Sequence, residues 1–313
     1  MTGDSPTVDR SIHLLVVGDI HLRPTGESFP VTELPVTEHD LVVSIGDVID
    51  ENRDHAKSPA AGDSYEERGR EFFEYLDTCE VPVVAIPGNH DPVACTQRLT
   101  DGLDSVTPLH RASTDIGTRN TDYHVVGWGC KQFDFPSALL TPDYPDIPLD
   151  DKTPETPDTV AQTVLEAAGR YITGSLTRSE LADQLGIKGT DAEDHFRTSL
   201  AMLEERFEEI VATIRDVPQP VLLASHVSPF AVPFDRRKPH AHDGEYHFGS
   251  LGLRLALMET GPVACISGHT HQQGFSVVET ANGHTYVYNP GAPGVASVTV
   301  DDTGTVRVDE LLL

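Results

Sequence analysis

Five short polar segments, which occur in a fixed order along this chain, combine residue types that could carry out chemistry. Each follows an apolar run that predicts a strand, so each should lie at a strand's carboxyl end, where open α/β sheets bind their ligands. The side chains offer carboxylates, imidazoles and one amide but no thiolate, a donor set that suits manganese, iron, zinc or cobalt better than a closed structural zinc. Together they outline a two-metal site. In chain order the segments are Asp19-Ile20-His21, Gly46-Asp47-Val48-Ile49-Asp50, Gly88-Asn89-His90-Asp91, Ser225-His226 and Gly268-His269-Thr270-His271.

In this order the segments resemble the signature of the calcineurin-like metallophosphoesterases, which reads D-x-H, G-D-x-x-D, G-N-H-[DE], a lone His and G-H-x-H. All five motifs are present between Asp19 and His271, so the resemblance covers most of the chain. The resemblance implies an α/β fold in which two mixed sheets pack face to face as a β-sandwich with helices outside. It also implies that His90 is the catalytic imidazole. The metal ligands that it implies are Asp19, His21 and His271 on one metal, Asn89, His226 and His269 on the second, and Asp47 bridging both.

The residue types give separate reasons for these roles. Two cations about 3.5–4 Å apart clamp the attacking and leaving oxygens of an in-line phosphoryl displacement, and they lower the pKa of a bound water to give a hydroxide nucleophile. A carboxylate such as Asp47 has two oxygens to share between the cations, whereas an imidazole serves only one. His90 is free to protonate the leaving oxygen, and Asp91 or Asp50 could orient its ring, so His90 and Asp91 are the candidate catalytic residues. Manganese is the expected metal, with iron, zinc, cobalt and nickel as alternatives.

Each motif also has a simpler explanation when it is considered alone. Gly-Asp and Gly-Asn after an apolar strand are ordinary turns, because these residues tolerate left-handed backbone or cap a helix. His226 alone would be a hydrogen-bonded histidine. Ser225 before it suggests a serine nucleophile, but neighbouring side chains on a strand point to opposite faces and the chain has no G-x-S-x-G elbow. The ordered occurrence of all five motifs favours the metal site over these separate explanations.

The composition limits the setting and the substrate. The 313 residues carry a formal charge of −28 with a pI of about 4.7, and only five of the 22 basic residues are lysines. An acidic surface poor in lysine indicates a salt-adapted protein, because concentrated salt screens the self-repulsion of such a surface. An ordinary acidic cytosolic protein is the alternative. The same charge disfavours nucleic acid as a partner, so we expect a small phosphoester as the substrate.

The cysteines and the first residues bear on the cellular compartment. The four cysteines show no C-x-x-C pairing and lie mostly near apolar runs, which predicts buried thiols in a reducing compartment. The beginning of the chain lacks the apolar core of a signal peptide, and no run of eighteen apolar residues occurs. We therefore expect a soluble, cytoplasmic protein without membrane contact.

Hydrophobic periodicity predicts alternating strands and helices within one domain over residues 1–313. A helix is expected near Tyr65–Thr78 and another after Pro92. The segment Gly127-Trp128-Gly129 predicts either a tight approach near the site or a buried tryptophan between two bends. The predicted strands are Ile12–Val17, Asp40–Ile45, Val81–Ile86, Tyr123–Trp128, Val221–Ala224, Val263–Ile266, Thr285–Tyr288, Val295–Val300 and Thr305–Val308.

Residues 140–215 differ from the rest and predict a helical insertion. Residues 140–157 are rich in Pro and Asp, which is typical of a loop or linker. The segment Leu176–Gly186 resembles the first part of a helix-turn-helix, but its acidic surroundings lack the basic residues that phosphate contacts need. We expect instead that the insertion packs beside or over the site and shapes substrate access. The helices predicted within it are Val160–Ile172, Arg178–Leu185 and Ala192–Ile214, the last with an apolar stripe of Phe196, Leu200, Leu203 and Phe207.

One loop is locally basic in this acidic chain. It begins shortly after His226, and its Arg236 and Arg237 are candidate substrate-binding residues that would receive the phosphate or the rest of the substrate. A solvated surface turn is the alternative. Three histidines in or near this loop match no motif: His240, His242 and His247.

The sequence thus predicts a two-metal phosphoester hydrolase, either a phosphodiesterase or a phosphatase. Two other classes stay open. A nuclease of the double-strand-break repair type shares these motifs, but it needs a surface that tolerates a polyanion. A catalytically inactive binding module with the same fold should lack ligands, whereas this chain retains all of them.

Overall fold

The computed structural model describes residues 11–25, 29–50, 59–117, 122–131, 158–237, 246–281, 283–301 and 303–311. Within these ranges the strands form two six-stranded sheets and a two-stranded ribbon. In chain order the strands are β1 (Ile12–Gly18), β2 (Leu41–Ser44), β3 (Val83–Ala85), β4 (Val106–Pro108), β5 (Ala112–Gly117), β6 (Asp122–Trp128), β7 (Val221–Val227), β8 (Arg236–Arg237), β9 (Tyr246–His247), β10 (Ala264–Gly268), β11 (Gly274–Thr280), β12 (Gly283–Asn289), β13 (Gly294–Val300) and β14 (Val306–Glu310).

Both large sheets mix parallel and antiparallel pairing. The first has the order β14-β13-β1-β2-β3-β4, in which β1 to β4 are parallel and β13 runs antiparallel to its two neighbours. The second has the order β11-β12-β10-β7-β6-β5, with parallel pairing from β12 to β6 and antiparallel edge strands. The predicted architecture of two mixed sheets flanked by helices is confirmed.

Helices cover the outer faces of the two sheets. In the described residues they are α1 (Pro59–Thr78), α2 (Val93–Thr100), α3 (Asp158–Ile172), α4 (Arg178–Gln184), α5 (Thr190–Arg215) and α6 (Leu251–Thr260). Phe72 and Leu76 of α1 pack on the first sheet, and Ile210 of α5 with Leu253 of α6 packs on the second. None of the described helices combines the length and apolar character needed to cross a membrane.

The central strands are apolar on both faces because each face meets a different layer. In β1, Leu14 and Val16 join the cluster between the two sheets, whereas Leu15 and Val17 join the cluster beneath α1 and α2. Since successive side chains of a strand point to opposite faces, a continuous apolar run is what a doubly covered strand requires. These runs bury the strands and leave their polar carboxyl ends at one edge.

The helices α3, α4 and α5 lie within the predicted insertion, and residues 140–157 lie outside the described residues. Their apolar side chains form a cluster of their own, in which Phe196 and Leu203 of α5 pack with Leu255 of α6. The helix α4 begins with a capping box, in which Glu180 N–H donates to Thr177 Oγ1 at 3.3 Å and Thr177 N–H donates to Glu180 Oε2 at 2.8 Å. The extent of the insertion as a unit stays a prediction.

Sequence reasoning missed the helix α6, the strands β4, β5 and β11 and the two-residue strands β8 and β9. The α6 sequence LGLRLALMET alternates leucine with other residues and is buried on most sides, so it shows no helical periodicity. The residues at its two ends are typical helix caps and could have predicted it. Ser250 Oγ accepts from Leu253 N–H at the start, and Gly261 follows the last turn with φ 61° in left-handed backbone.

The four cysteines carry thiols and form no disulfide. Cys95, Cys130 and Cys265 are buried and Cys79 is half-buried. Burial raises the pKa of the Cys265 thiol, because a thiolate there would lose its hydration. The buried thiols therefore fill space in the protein interior.

Candidate metal centre

The five polar motifs meet at the edge where the parallel strands of both sheets end. Asp19 follows β1, Asp47 follows β2 and Asn89 follows β3 in the first sheet. His226 lies near the end of β7 and His269 follows β10 in the second sheet. Because neighbouring parallel strands end side by side, residues separated by up to about 250 positions come together here.

A first cluster consists of Asp19, His21, Asp47 and His271, whose possible ligand atoms all lie within 4.8 Å of one another. The Nε2 atoms of His21 and His271 are 3.0 Å apart, and His271 Nε2 is 3.7 Å from Asp19 Oδ1. Two ligands at roughly 2.1 Å from one metal with tetrahedral or octahedral angles are about 3.0–3.4 Å apart. The cluster therefore has the dimensions of a metal site.

A second cluster consists of Asp47, His226 and His269, with Asn89 between the two histidines. Asn89 Oδ1 is 2.9 Å from His226 Nε2 and 2.8 Å from His269 Nδ1. Asp47 Oδ2 is 3.5 Å from His226 Nε2 and also 3.9 Å from His21 Nε2 in the first cluster. One carboxylate oxygen thus faces both clusters, as a bridging ligand must.

The backbone at these residues is unusual. Five of the eight described non-glycine residues with positive φ are candidate ligands: Asp19, His21, Asp47, His269 and His271. Left-handed backbone at a non-glycine residue costs about 1–3 kcal/mol and persists only where the surroundings enforce it. Here hydrogen bonds enforce it: Asp19 N–H donates to the Gly46 carbonyl at 3.1 Å and His21 N–H to the Asp47 carbonyl at 3.0 Å. Concentrated strain of this kind marks a functional site.

The motif glycines allow the close approach of these segments. A Cβ atom at Gly88 would lie 2.2 Å from both the amide nitrogen and Oδ1 of Asp47. A Cβ atom at Gly268 would lie 2.5 Å from Asp19 Oδ2. Neither position has room for a side chain, which gives a physical reason for glycine in the G-N-H-D and G-H-x-H motifs.

His226 is fully buried with its ring orientation fixed. Its Nδ1 donates to the Ile45 carbonyl at 2.8 Å, so Nε2 keeps a lone pair that faces Asn89 and Asp47. Burial lowers the pKa of His226, which favours the neutral imidazole that a metal needs. The Ser225 hydroxyl donates to the Val227 carbonyl at 2.9 Å and contributes nothing to a serine-histidine pair in the described contacts.

Asp91 has a different place from the one that the sequence suggested. Its carboxylate accepts hydrogen bonds from the backbone amides of Asp47 at 2.9 Å, Val48 at 2.7 Å and Gly88 at 2.8 Å. Burial and the nearby Asp47 carboxylate raise the pKa of Asp91 to about 7, against the lowering effect of these amides. Asp91 therefore holds the loops of Asp47 and Gly88 together, which is a positioning role.

The carboxylate next to the His90 ring is that of Asp50. His90 Nδ1 is 3.4 Å from Asp50 Oδ1, and Asp50 Oδ2 accepts from Arg23 Nε at 2.6 Å. The His90 side chain is 22% exposed, and its backbone N–H donates to Asp47 Oδ1 at 2.8 Å. Sequence reasoning left Asp50 open as a partner of the ring and missed Arg23, which carries no motif of its own.

The basic loop starts beside the metal centre. Thr270, between the two histidines of its motif, donates from its hydroxyl to the Phe234 carbonyl at 2.8 Å. Arg236 and Arg237 form β8, where Arg236 pairs with His247. His247 Nδ1 is 2.6 Å from the buried Asp235 carboxylate, so this histidine belongs to the base of the ribbon. Lys238, His240 and His242 lie outside the described residues.

Comparison with known proteins gives one family and several similar folds. The sequence model of the family described as calcineurin-like phosphoesterase matches residues 12–273. One crystal structure is 15% identical over 96% of this chain and all of its own, with a TM-score of 0.50, and it shows the same fold.

Two structures from Thermus thermophilus are more distant. The crystal structure of TT1561 is 15% identical over 96% of this chain and 98% of its own, with a TM-score of 0.44. The sulfate thiohydrolase SoxB in complex with glycerol is 13% identical over 87% of this chain and 38% of its own, with a TM-score of 0.39. No curated protein sequence matches the chain.

Proposed function

Because this chain belongs to the calcineurin-like phosphoesterase family, we propose that it hydrolyses phosphoesters with two divalent metal ions. Asp19, His21 and His271 hold one ion in this proposal, and the second is held by Asn89, His226 and His269. Asp47 bridges the two. Manganese is the metal in this proposal because it suits the oxygen donors, and iron, zinc, cobalt or nickel are alternatives because four of the donors are imidazoles.

The position of the Asp47 carboxylate carries this proposal. Its Oδ2 atom faces His226 at 3.5 Å and His21 at 3.9 Å, and each histidine belongs to a separate cluster of possible ligands. Asp47 is 1% exposed, and a carboxylate buried next to Asp19 and Asp91 needs positive charge nearby. Two cations that share this oxygen would supply that charge.

The chain's own residues contribute proton transfer and orientation. When bound, two divalent cations polarise a phosphoryl group and lower the pKa of an attacking water. His90 stands beside the first cluster, its ring 4.9 Å edge-on from that of His21, and it donates a proton to the leaving oxygen. Asp50 and Arg23 hold the His90 ring in place. Asn89 adds no negative charge where an anionic phosphate must approach.

The substrate in this proposal is a small phosphoester, either a diester or a monoester, and the setting is the cytoplasm of a salt-adapted cell. A formal charge of −28 repels a long polyanion, and concentrated salt screens that repulsion. The metal ions still provide local positive charge for one phosphate group. The nuclease and the inactive binding module are the alternatives that an assay must exclude.

The proposal is tested by hydrolysis across a salt series. Protein loaded with manganese is assayed with bis(4-nitrophenyl) phosphate, 4-nitrophenyl phosphate and linear duplex DNA from low salt to molar salt. We expect ester hydrolysis that rises with salt, little DNA cleavage, and loss of activity in Asp47→Asn but not in Asp183→Asn on the exposed side of α4. DNA cleavage that strengthens at low salt would support the nuclease. No hydrolysis with manganese, nor after loading with iron, zinc, cobalt or nickel instead, would contradict the enzyme.

A further inference from the structure

A cavity of about 220 Å³ lies beside the candidate metal centre, between the carboxyl edge of the second sheet and helix α5. It is large enough to hold several water molecules, and therefore a phosphate or a carboxylate group. Its walls come from the turn after β4, the ends of β6 and β7 and one side of α5. The lining residues that matter here are His110, Arg111, Trp128, Lys131, Ser225 and Arg206.

The cavity shares a wall with the candidate metal centre. Gly129, which lines it, packs so closely on Pro87 that an added Cβ would lie 2.5 Å from the Pro87 carbonyl oxygen. Cys130 N–H donates to the same Pro87 carbonyl at 2.9 Å. The motif that contains Asn89 begins at Gly88, directly after Pro87. This is the tight approach that the Gly-Trp-Gly segment suggested, and Trp128 is also buried, as the alternative for this segment predicted. On the other side, the lining residues Ser225 and Val227 flank the candidate ligand His226.

The lining carries more basic than acidic residues, although the chain is strongly acidic. Arg111, Lys131 and Arg206 line the cavity with one acidic residue, Glu205, and a second carboxylate, that of Glu209, pairs with Arg111. Arg111 is held in a fixed place, with its guanidinium carbon 5.1 Å from the centre of the Trp128 ring and Nη1 bonded to Glu209 of α5. Its backbone has φ 53°, one of the few positive values at a described non-glycine residue. Strain and fixed charge together indicate a built site.

Two donors at this cavity lack acceptors among the described residues. Gly129 N–H donates to His110 Nδ1 at 3.0 Å, so the neutral ring carries its proton on Nε2. Burial and the charges of Arg111 and Lys131 lower the pKa of His110 to about 4, which keeps the ring neutral near pH 7. The buried Nε2–H of His110 and the buried Nε–H of Arg111 have no hydrogen-bond partner there. A buried donor without an acceptor costs free energy, and an anionic oxygen would remove that cost.

We propose that this cavity binds a second anionic group, a phosphate or a carboxylate, on the part of the substrate that is not cleaved. The assignment rests on the proposed function, because the phosphoester itself must be held at the metal centre. A substrate with a neutral group in this place leaves the donors of His110 and Arg111 unpaired. The site should therefore prefer phosphoesters that carry a further negative charge.

Binding of non-hydrolysable ligands tests the cavity independently of turnover. Isothermal titration compares alkylphosphonates with ω-carboxyalkylphosphonates and ω-phosphonoalkylphosphonates of two to five carbons, using the manganese-loaded protein. At the best length the second anionic group should tighten binding about 10- to 100-fold, the range for hydrogen bonds to a charged group. The carboxylate and phosphonate series show which anion fits better.

Three variants and one control separate the cavity from the metal centre. Lys131→Gln and His110→Leu should each reduce the advantage of the second anionic group at least fivefold and leave binding of plain alkylphosphonates unchanged. His110→Gln keeps a donor nitrogen and should retain most of the advantage. Arg197→Gln removes an exposed arginine of α5 that pairs with Asp194 and should change nothing.

Hydrolysis of 4-nitrophenyl phosphodiesters with neutral or carboxylate-bearing second arms completes the test. A preference for the anionic arm in kcat/KM that disappears in Lys131→Gln supports the proposal. The proposal would be overturned if alkylphosphonates with and without the second anionic group bound equally well. It would also be overturned if the tighter binding of the doubly anionic ligands survived in both Lys131→Gln and His110→Leu. If no ester is hydrolysed but the binding advantage depends on these residues, the cavity stands and the proposed hydrolase fails.

Discussion

The Nε2 atoms of His21 and His271 lie 3.0 Å apart, although 250 positions separate these residues in the sequence. Two neutral imidazoles in this arrangement must share a proton or a cation, because two lone pairs that face each other repel. The carboxylates of Asp19 and Asp47 lie within 4.8 Å of the same nitrogens, which favours a cation. We therefore expect the residues around this pair to control metal binding as well as activity.

Substitution of the shared carboxylate should affect both metals. Asp47→Asn removes the only proposed bridge, so it should lower the metal content towards one or none and lower activity more than His269→Gln does. His269→Gln removes a ligand from the second cluster alone. Elemental analysis and hydrolysis rates measure both effects, with Asp183→Asn as the control. Equal losses from the two ligand variants would argue against a bridge.

Substitution of His90 should separate proton transfer from metal binding. His90→Ala should keep both metals while hydrolysis of esters with poor leaving groups falls about 10²–10⁴-fold, the usual range for general acid catalysis. Activated 4-nitrophenyl esters should lose less, because their leaving group needs no proton. Asp50→Asn should give a smaller loss with the same dependence on the leaving group. Losses that do not vary with the leaving group's pKa would indicate that His90 only positions the substrate.

Asp91 should contribute to stability and metal affinity. Its carboxylate accepts three backbone hydrogen bonds, and an asparagine has one acceptor oxygen and places an amide against the remaining N–H. Asp91→Asn should lower the free energy of unfolding by about 1–3 kcal/mol, the cost of leaving a buried donor unsatisfied. Urea denaturation measures the free energy of unfolding, and metal titration measures the metal affinity, which should also fall. A variant with wild-type stability and metal content whose activity falls as in His90→Ala would restore Asp91 as a catalytic residue.

His110 should make stability depend on pH. Its pKa is lowered to about 4 in the folded protein, below the ordinary value of 6.5, so the unfolded chain takes up the proton first as the pH falls. Its contribution is therefore complete above pH 6.5 and is lost as the pH falls from 6.5 towards 4. Urea midpoints at about pH 7, 6 and 5 in concentrated salt should fall less for His110→Gln than for the wild type. Urea midpoints that fall equally with pH in His110→Gln and in the wild type would contradict a neutral, buried His110.

Most strands and helices and the motif residues could be predicted because they leave local patterns in the sequence, whereas the packing of two mixed sheets face to face was implied only by the resemblance to the family. Apolar runs such as those before Asp19 and Asp47 indicate strands covered on both faces, and the polar residues after them mark the shared carboxyl edge. The whole set of implied ligands is found at this edge. The helix α6 was missed because leucines on all its sides remove the periodicity on which the prediction depends.

The side-chain contacts around the motif residues could not be predicted, because they depend on tertiary packing and not on the spacing of residues in the sequence. Asp91 is adjacent to His90 in the chain, yet its carboxylate turns to the amides of Asp47 and Val48. The cavity beside the metal centre joins a turn at His110 to a helix almost 100 positions later, and of its lining residues only Ser225 belongs to a motif. Only the fold brings these groups together.

The most direct test of the two-metal site is a crystal structure of the manganese-loaded protein with anomalous diffraction, combined with elemental analysis of the same sample. We expect two metal ions per chain, about 3.5–4 Å apart, with the Asp47 carboxylate between them. One ion should contact Asp19, His21 and His271, and the other should contact Asn89, His226 and His269. A single ion per chain, or two ions that do not share Asp47, would contradict the two-metal site.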